Sequence, residues 1–447
     1  MHLDFLIERF RACSEKEAFV RNDESYNYRE FLSLYSGWRD FIIKESIEPG
    51  SVVVIESSTT PAAIALLLAL IDNSCICIPF TPGLLPKKEE YFDIALAEYS
   101  IKLNYETELI KTGVNARHEL YKILRNSGSP GLVLFSSGTA GKSKAAVHDM
   151  GKLLKKYHKS GKDFRTLVFM QFDHIGGVDT LFYSMSNAST IITTDDRSPE
   201  TVCRMVEMHK VEVLPVTPTF INLLIISEAY KNYDLSSLKY ITYGTEVMPE
   251  FTLKKCNEIF PDAKLLQKYG TTETGTLRSK SESSGSTWVK IGGEGFDTKI
   301  VDGILYIKAD SAMLGYLNHE SPFTDDGWFI TGDEVEQKGD YIRFKGRKTE
   351  IINVGGEKVY PVEVENVIHQ YENVVEVTIL SEKNSIMGNI VCANVRLKNK
   401  PENERKEAAN IKKFCRERLE TYKVPVKINF VHEEQYSDRY KKKRHAK

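Results

Sequence analysis

A chain of 447 residues, 41% hydrophobic and 27% charged, has the make-up of an ordinary globular protein with length for two or three domains. Its net charge of −2 excludes a global field that would recruit nucleic acid or an anionic membrane. The opening Met1-His-Leu-Asp-Phe5 lacks the basic-then-apolar layout of a secretion signal. The longest apolar run, Ala62 to Ile71, is too short to span a bilayer, so no membrane insertion is expected. The seven cysteines are scattered, with Cys75 and Cys77 alternating along a strand-like run, and read as reduced structural thiols of a cytoplasmic protein.

Along the chain, short apolar strands alternate with amphipathic helices up to about residue 346, which predicts layered α/β structure. Val52-Val-Val-Ile55 reads as a strand. Thr60-Pro61 is a cap and first-turn pair for the apolar run to Ile71, which reads as a buried helix. Leu132-Val-Leu-Phe135 is a strand that empties into Ser-Ser-Gly-Thr-Ala-Gly-Lys-Ser-Lys144, and Ala145-Ala-Val147 reads as a second short strand. Thr166–Phe169, Val211–Pro215 and Tyr240–Tyr243 are further strands. Between about 285 and 345 the pattern turns to short strands with turn signals, at Gly303–Ile307, Gly327–Ile330 and Tyr341–Phe344, a small β-rich subdomain. A compact α+β unit follows: strand Ile351–Val354, a helix from Pro361, strands Val375–Leu380 and Ile390–Leu397, and a helix near Ala408–Tyr422 with Ile411, Phe414, Cys415 and Leu419 on one face. The expected division is 1–346, a large N-terminal domain, and 347–447, a small mobile C-terminal domain.

The loop after Phe135 carries the first chemistry. Its glycines, Gly138 and Gly141, let backbone N–H groups crowd an anion. Ser136, Ser137 and Thr139 add hydroxyl donors, and Lys142 and Lys144 add positive charge. This is a phosphate cradle, but not a Walker loop: that pattern needs glycine where Ser136 stands, and it opens a helix rather than a strand. A second constellation, Tyr269-Gly-Thr-Thr-Glu-Thr-Gly275, sets a flat ring, hydroxyls and a carboxylate within a few residues. Those groups can stack on a base, hold a phosphate and hold Mg²⁺.

The first loop resembles the [ST]-S-G-[ST]-T-G-x-P-K-G signature of the acyl-adenylate-forming (ANL) superfamily: acyl- and aryl-CoA synthetases, adenylation domains and luciferases. Ser143 stands where proline is usual and Ala145 where glycine is usual. The second constellation resembles the Y-G-x-T-E motif of the same superfamily. By that resemblance Tyr269 and Gly270 face adenine, Thr272 the α-phosphate, and Glu273 the Mg²⁺ ion. Gly244, Thr245 and Glu246 look like the adenine-pocket segment. Trp328-Phe-Ile-Thr-Gly-Asp333 resembles the T-G-D motif, whose aspartate accepts from the ribose hydroxyls. Gly346 to Glu365 resembles the hinge motif, with Arg347 on the ribose and the hinge at Thr349, where Asp or Lys is usual. Ser437-Asp-Arg-Tyr-Lys-Lys-Lys-Arg444 resembles the terminal G-K-x-x-R element. The K-x-x-R spacing makes Lys441 the catalytic lysine and Arg444 the arginine, with Tyr440 in place of glycine, while Lys442 offers a second register. Six of the last nine residues are basic, which by itself suits a solvated tail. The first 130 residues carry no diagnostic motif.

The resemblance implies that ATP and a carboxylic acid, fatty or aryl, form an acyl-AMP with release of pyrophosphate. The small domain then rotates, and CoA or the phosphopantetheine of an acyl carrier protein takes the acyl group. Phe172-Asp-His-Ile-Gly-Gly-Val-Asp179 falls at the acid pocket. His174 resembles the residue that closes it in CoA ligases, and Asp173 falls where amino-acid-activating domains pair with an ammonium. A stand-alone amino-acid adenylation enzyme loading a peptidyl carrier protein in trans is therefore the alternative. A nucleotide-binding protein that has lost catalysis is a third reading. Nucleic acid is not an expected partner.

Overall fold

The computed structural model describes residues 2–104, 106–137, 143–384 and 388–444. Among these residues the chain forms four sheets. The first runs, in spatial order, Lys264–Gln267, Tyr240–Tyr243, Val213–Val216, Arg165–Leu167, Thr190–Thr193, Glu17–Arg21 and Glu24–Asn27, parallel except for the last pair. The second has parallel central strands Gly131–Ser137, Ile76–Phe80, Val52–Glu56 and Tyr99–Leu103. Its antiparallel edges are Thr107–Lys111 on one side and Ser143–Asp149 with Gly315–Tyr316 on the other. Parallel strands covered on both faces need apolar runs, as Val52–Ile55 provides; the last residue, Glu56, is buried too and accepts from Lys88 Nζ at 2.8 Å.

The helix Pro61–Asp72 shows why an apolar run need not be a membrane span. Thr60 Oγ1 accepts from Ala63 N–H at 3.1 Å and Pro61 fills the first turn. The helix shares one core with Phe19 and Ile191 of the first sheet and Val53 and Ile55 of the second. Layered between two sheets, it is apolar all round. No helix among the described residues is long and apolar enough to cross a membrane. All seven cysteines are free thiols, and six of them are buried.

The third sheet is antiparallel, from Tyr269–Thr271 through Gly275–Ser281, Val289–Gly292, Tyr341–Arg347, Phe329–Lys338 and Ile304–Ala309 to Phe296–Val301. It begins earlier than the turn signals suggest. The Tyr269 constellation is the tight end of a hairpin, with Tyr269 opposite Leu277 and Thr271 opposite Gly275. Strand Tyr341–Arg347 passes through the short turn Lys348–Glu350 into Ile352–Val354 of the fourth sheet. There Gly388–Leu397 pairs with Val374–Asn384, Ile352–Val354 and Lys427–Phe430. The last helix runs Glu404–Arg416, starting and ending before the expected Ala408–Tyr422. Asn403 Oδ1 accepts from Lys406 N–H at 3.0 Å and sets the start. Leu419 and Tyr422 reach the same core from the turns beyond the helix end.

Candidate active site

One large cleft opens between the ends of these sheets, and the final segment 437–444 lines its far side. The near wall is the Tyr269 hairpin with strands Phe329–Lys338 and Tyr341–Arg347. Tyr269 stacks on Phe344 (centroids 4.5 Å, planes 15° apart) and donates its hydroxyl to Asp333 Oδ2 at 2.6 Å. Asp333 Oδ1 accepts from Arg347 Nε at 3.2 Å. Burial pushes the Asp333 carboxyl up, against the pull of Arg347 and the tyrosine hydroxyl. Thr272 and Glu273 line the cleft at the hairpin tip. Glu273 Oε1 accepts from the hydroxyl of Tyr316, and Lys144 Nζ sits over the Tyr316 ring at 5.2 Å. Sequence reasoning missed Tyr316. It arrives on the edge strand Gly315–Tyr316, whose pairing with Ser143–Asp149 brings it beside the lysine.

Of the phosphate cradle, Ser136 and Lys144 face each other across the hairpin and line the cleft. Ser137 ends the first strand. Gly138, Thr139, Gly141 and Lys142 lie outside the described residues.

Two of the expected nucleotide-binding glycines have a packing reason to be glycine. A Cβ on Gly244 would lie 2.6 Å from the Lys268 carbonyl oxygen, and one on Gly270 would lie 2.7 Å from the Gly275 oxygen. Backbones approach at these points and leave no room for a side chain. Gly244→Ala is expected to cost about 1–3 kcal/mol by overpacking, read as a lower melting temperature. An unchanged melting temperature would refute the close approach. Thr245 sits at φ +73. Glu246 is engaged: Oε2 accepts from Thr219 Oγ1 at 2.6 Å, and Oε1 from the Lys442 backbone N–H at 2.7 Å. Its carboxylate ties the helix Pro218–Ser227 to the C-terminal segment while the residue lines the cleft.

The C-terminal lysines take separate directions. Lys442 Nζ turns to Glu365 Oε2 at 2.8 Å, and Arg444 grips both oxygens of Glu365 at 2.6 and 2.9 Å. Glu365 is fully buried. Burial alone would raise its carboxyl, but Arg444 and Lys442 hold it well below the usual carboxylate range. Arg444 also meets Glu350 beside the Lys348–Glu350 turn at 3.3 Å. Exposed Thr349 lies in that turn.

Lys441 points the other way, into the cleft. Among the described residues no carboxylate lies within ion-pair distance of its Nζ, and its neighbour is His174 Nε2 at 3.3 Å. Burial, together with the charges of Arg439 and Arg347, lowers the amine to about 8. His174 caps the helix Ile175–Ser186, its Nδ1 accepting from Gly176 N–H at 3.1 Å. That bond assigns the proton of the neutral ring to Nε2, facing the amine. Burial, then the charges of Lys441 and Arg439, holds the imidazole well below its ordinary value and hence neutral.

Tyr440, where glycine is usual, has φ +52. A left-handed non-glycine residue costs roughly 1–2 kcal/mol. Here its ring is wedged by Phe169 at 5.0 Å and Phe220 at 5.5 Å, and its hydroxyl donates to the Arg197 carbonyl at 2.8 Å. Those contacts offset the backbone cost and hold the turn that aims Lys441. Asp173 is likewise engaged: Oδ2 accepts from Thr81 Oγ1 at 2.9 Å and from Arg439 Nη2 at 3.0 Å. The cation beside Asp173 is thus an arginine of the chain itself, and Asp173 lines the cleft. Nothing in the sequence marked Arg439, which lies 266 positions away.

The AMP-binding enzyme model matches residues 102–317, and the AMP-binding enzyme C-terminal domain model matches residues 363–442. The chain belongs to this family, the acyl-adenylate-forming superfamily. It is 27% identical over 331 residues to the indoleacetate–CoA ligase of Aromatoleum aromaticum, 68% of this chain and 64% of that one. With the 2-succinylbenzoate–CoA ligase of Bacillus pumilus it shares 24% identity over 479 aligned residues, 96% of this chain and 94% of the relative. Against several such ligases the chain spans only 54–64% of the relative's length. The fold matches the anthranilate CoA ligase AuaEII in complex with anthranoyl-AMP with a TM-score of 0.82 at 18% identity, covering 97% of this chain and 93% of that one.

Proposed function

We propose that this protein activates a carboxylic acid with ATP to an acyl-AMP, releasing pyrophosphate, and transfers the acyl group to the thiol of CoA. The observation that carries the reading is Lys441, an amine without an ion partner among the described residues, aimed into the cleft between His174 and the Tyr269–Asp333–Arg347 wall. A carboxylate attacking an α-phosphate builds negative charge, and a preorganised cation in a water-poor cleft stabilises it where it develops. Thr272 lines the same cleft and supplies a hydroxyl donor. Arg347 and Asp333 would exchange their mutual contact for the ribose hydroxyls. Ser136 and Lys144 border the region of the departing pyrophosphate.

Glu273 has no cationic partner within ion-pair distance among the described residues. A hard carboxylate oxygen beside the phosphate region suits magnesium, which Glu273 would hold together with oxygens of the nucleotide. Bound there, magnesium would neutralise phosphate charge. The units 1–346 and 347–447 then reorient about Thr349. The turn joins two sheets without belonging to either, so a change of φ and ψ there would carry the small unit as a body. That motion would withdraw Lys441 and admit the thiol.

The amino-acid alternative is not favoured. The carboxylate that would pair with an ammonium already holds Arg439, and the similar proteins named above are CoA ligases. CoA is preferred to a carrier protein for the same reason. The test is acid-dependent pyrophosphate release followed by CoA-thioester formation.

The depressed Lys441 amine makes a pH prediction. It is cationic at neutral pH and loses its proton as pH rises through about 8. The kcat/KM for ATP in the adenylation step is expected to fall above that pH in the wild type. In Lys441→Arg the fall should disappear, because guanidinium stays charged. An identical alkaline limb in both proteins would assign it to another group.

A further inference from the structure

Lys268 is a cation of the cleft that this mechanism leaves unused. It immediately precedes the Tyr269 hairpin and lines the cleft. Lys268 lies between strand Lys264–Gln267 and the hairpin and belongs to neither. Tyr269 faces Phe344 and Asp333, the ribose wall. The Lys268 charge acts instead with Asp179 of the helix Ile175–Ser186 that His174 caps, the side where the acid pocket is expected. Its charged neighbours there are Asp179 and Lys156.

Those neighbours leave its charge uncompensated. Asp179 Oδ1 already accepts from Lys156 Nζ and from the Tyr157 hydroxyl, the latter at 2.7 Å. Lys156 also donates to the Thr276 carbonyl at 3.2 Å. Two lysines and one aspartate sum to one net positive charge. Among the described residues no carboxylate lies within 4 Å of the Lys268 amine, and no residue outside them carries a carboxylate side chain. Lys268 has exposed surface, yet protein surrounds it closely enough that desolvation lowers its amine below the ordinary lysine value. Both observations hold together when the exposed surface is cleft wall rather than outer surface. A desolvated ammonium without a partner is costly to fold, and an anionic ligand would remove that cost.

We propose that Lys268 selects carboxylic acids that carry a second carboxylate, one acid group lying at Lys441 for activation and the other pairing with Lys268. This rests on the adenylate-forming reading and names its substrate class. The test uses glutarate, adipate and phthalate, each against its monoamide, which keeps one carboxylate and replaces the other by a neutral group of similar shape. The readouts are kcat/KM for pyrophosphate release and, separately, calorimetric binding of each acid to the full chain without ATP.

The wild type is expected to favour at least one diacid over its monoamide by roughly 10- to 100-fold, the worth of a hydrogen bond to a charged group. In Lys268→Met the ratio should collapse towards one, and in Lys268→Arg it should persist. Lys268→Gln serves the same purpose if the methionine variant does not fold. Equal use of every pair by the wild type, or a preference that survives in Lys268→Met, overturns the proposal. If no acid releases pyrophosphate, the adenylating reading fails while calorimetry still decides the anion site. Tighter diacid binding that vanishes in Lys268→Met supports the site, and equal binding rejects it.

Discussion

Lys441→Ala is expected to lower acid-dependent pyrophosphate release by about 10²–10³-fold, the usual cost of one charge-stabilising donor at a reacting centre. Conversion of supplied acyl-AMP and CoA to thioester should change far less, because in the mechanism proposed above that step follows withdrawal of the lysine. The two assays on one variant separate a catalytic role from a folding defect, which would lower both together. Lys442→Ala provides the comparison: its amine is spent on Glu365 and the Val377 carbonyl rather than on the cleft. It should weaken the seating of the terminal segment and so act on both steps. If Lys442→Ala reproduced the selective loss and Lys441→Ala did not, the assignment of the two lysines would be reversed.

Glu365→Ala is expected to be the most destabilising single change at the junction. The wild-type carboxylate is fully buried between Arg444 and Lys442 and also accepts from Ile379 N–H at 3.0 Å. Its removal leaves two cations without their partner, at a cost of about 3–5 kcal/mol for a broken buried pair. Urea unfolding should show that loss. Pyrophosphate release should fall as well, because the segment that aims Lys441 loses its anchor, and small misplacements of a reacting group are costly. Glu365→Gln keeps an acceptor for Ile379 N–H and should lose less stability than alanine. Since the folded carboxyl is held below its unfolded value, its stabilisation is complete above about pH 4–5 and is lost as pH falls toward the depressed value. An unchanged unfolding midpoint in Glu365→Ala would contradict this account of the anchor.

Much of the fold is legible in local pattern. Val52–Ile55 reads as an apolar run because both its faces are covered, and Thr60-Pro61 announces a helix by cap chemistry alone. The motifs on the cleft wall could be read because each gathers its chemistry within a few consecutive residues, as from Tyr269 to Glu273. What escaped reading depends on chain segments meeting. The ion pair of Asp173 with Arg439 has no signal in either local stretch. Tyr316 has no local signature, and edge-strand pairing alone brings it to Glu273. The choice between Lys441 and Lys442 turns on which side of one turn each amine leaves, and that turn is set by Tyr440 among Phe169, Phe220 and Arg197. That the Tyr269 constellation is a hairpin, with Gly270 where two strands close, depends likewise on strand pairing.

The most direct measurement is acid-dependent pyrophosphate release from Mg·ATP, screened over fatty, aryl, dicarboxylic, hydroxy and amino acids with wild type and Lys441→Ala in parallel. The account predicts release with a non-amino carboxylic acid that is largely lost in the variant. ATP binding without release for any acid, or release that the variant retains in full, would contradict it.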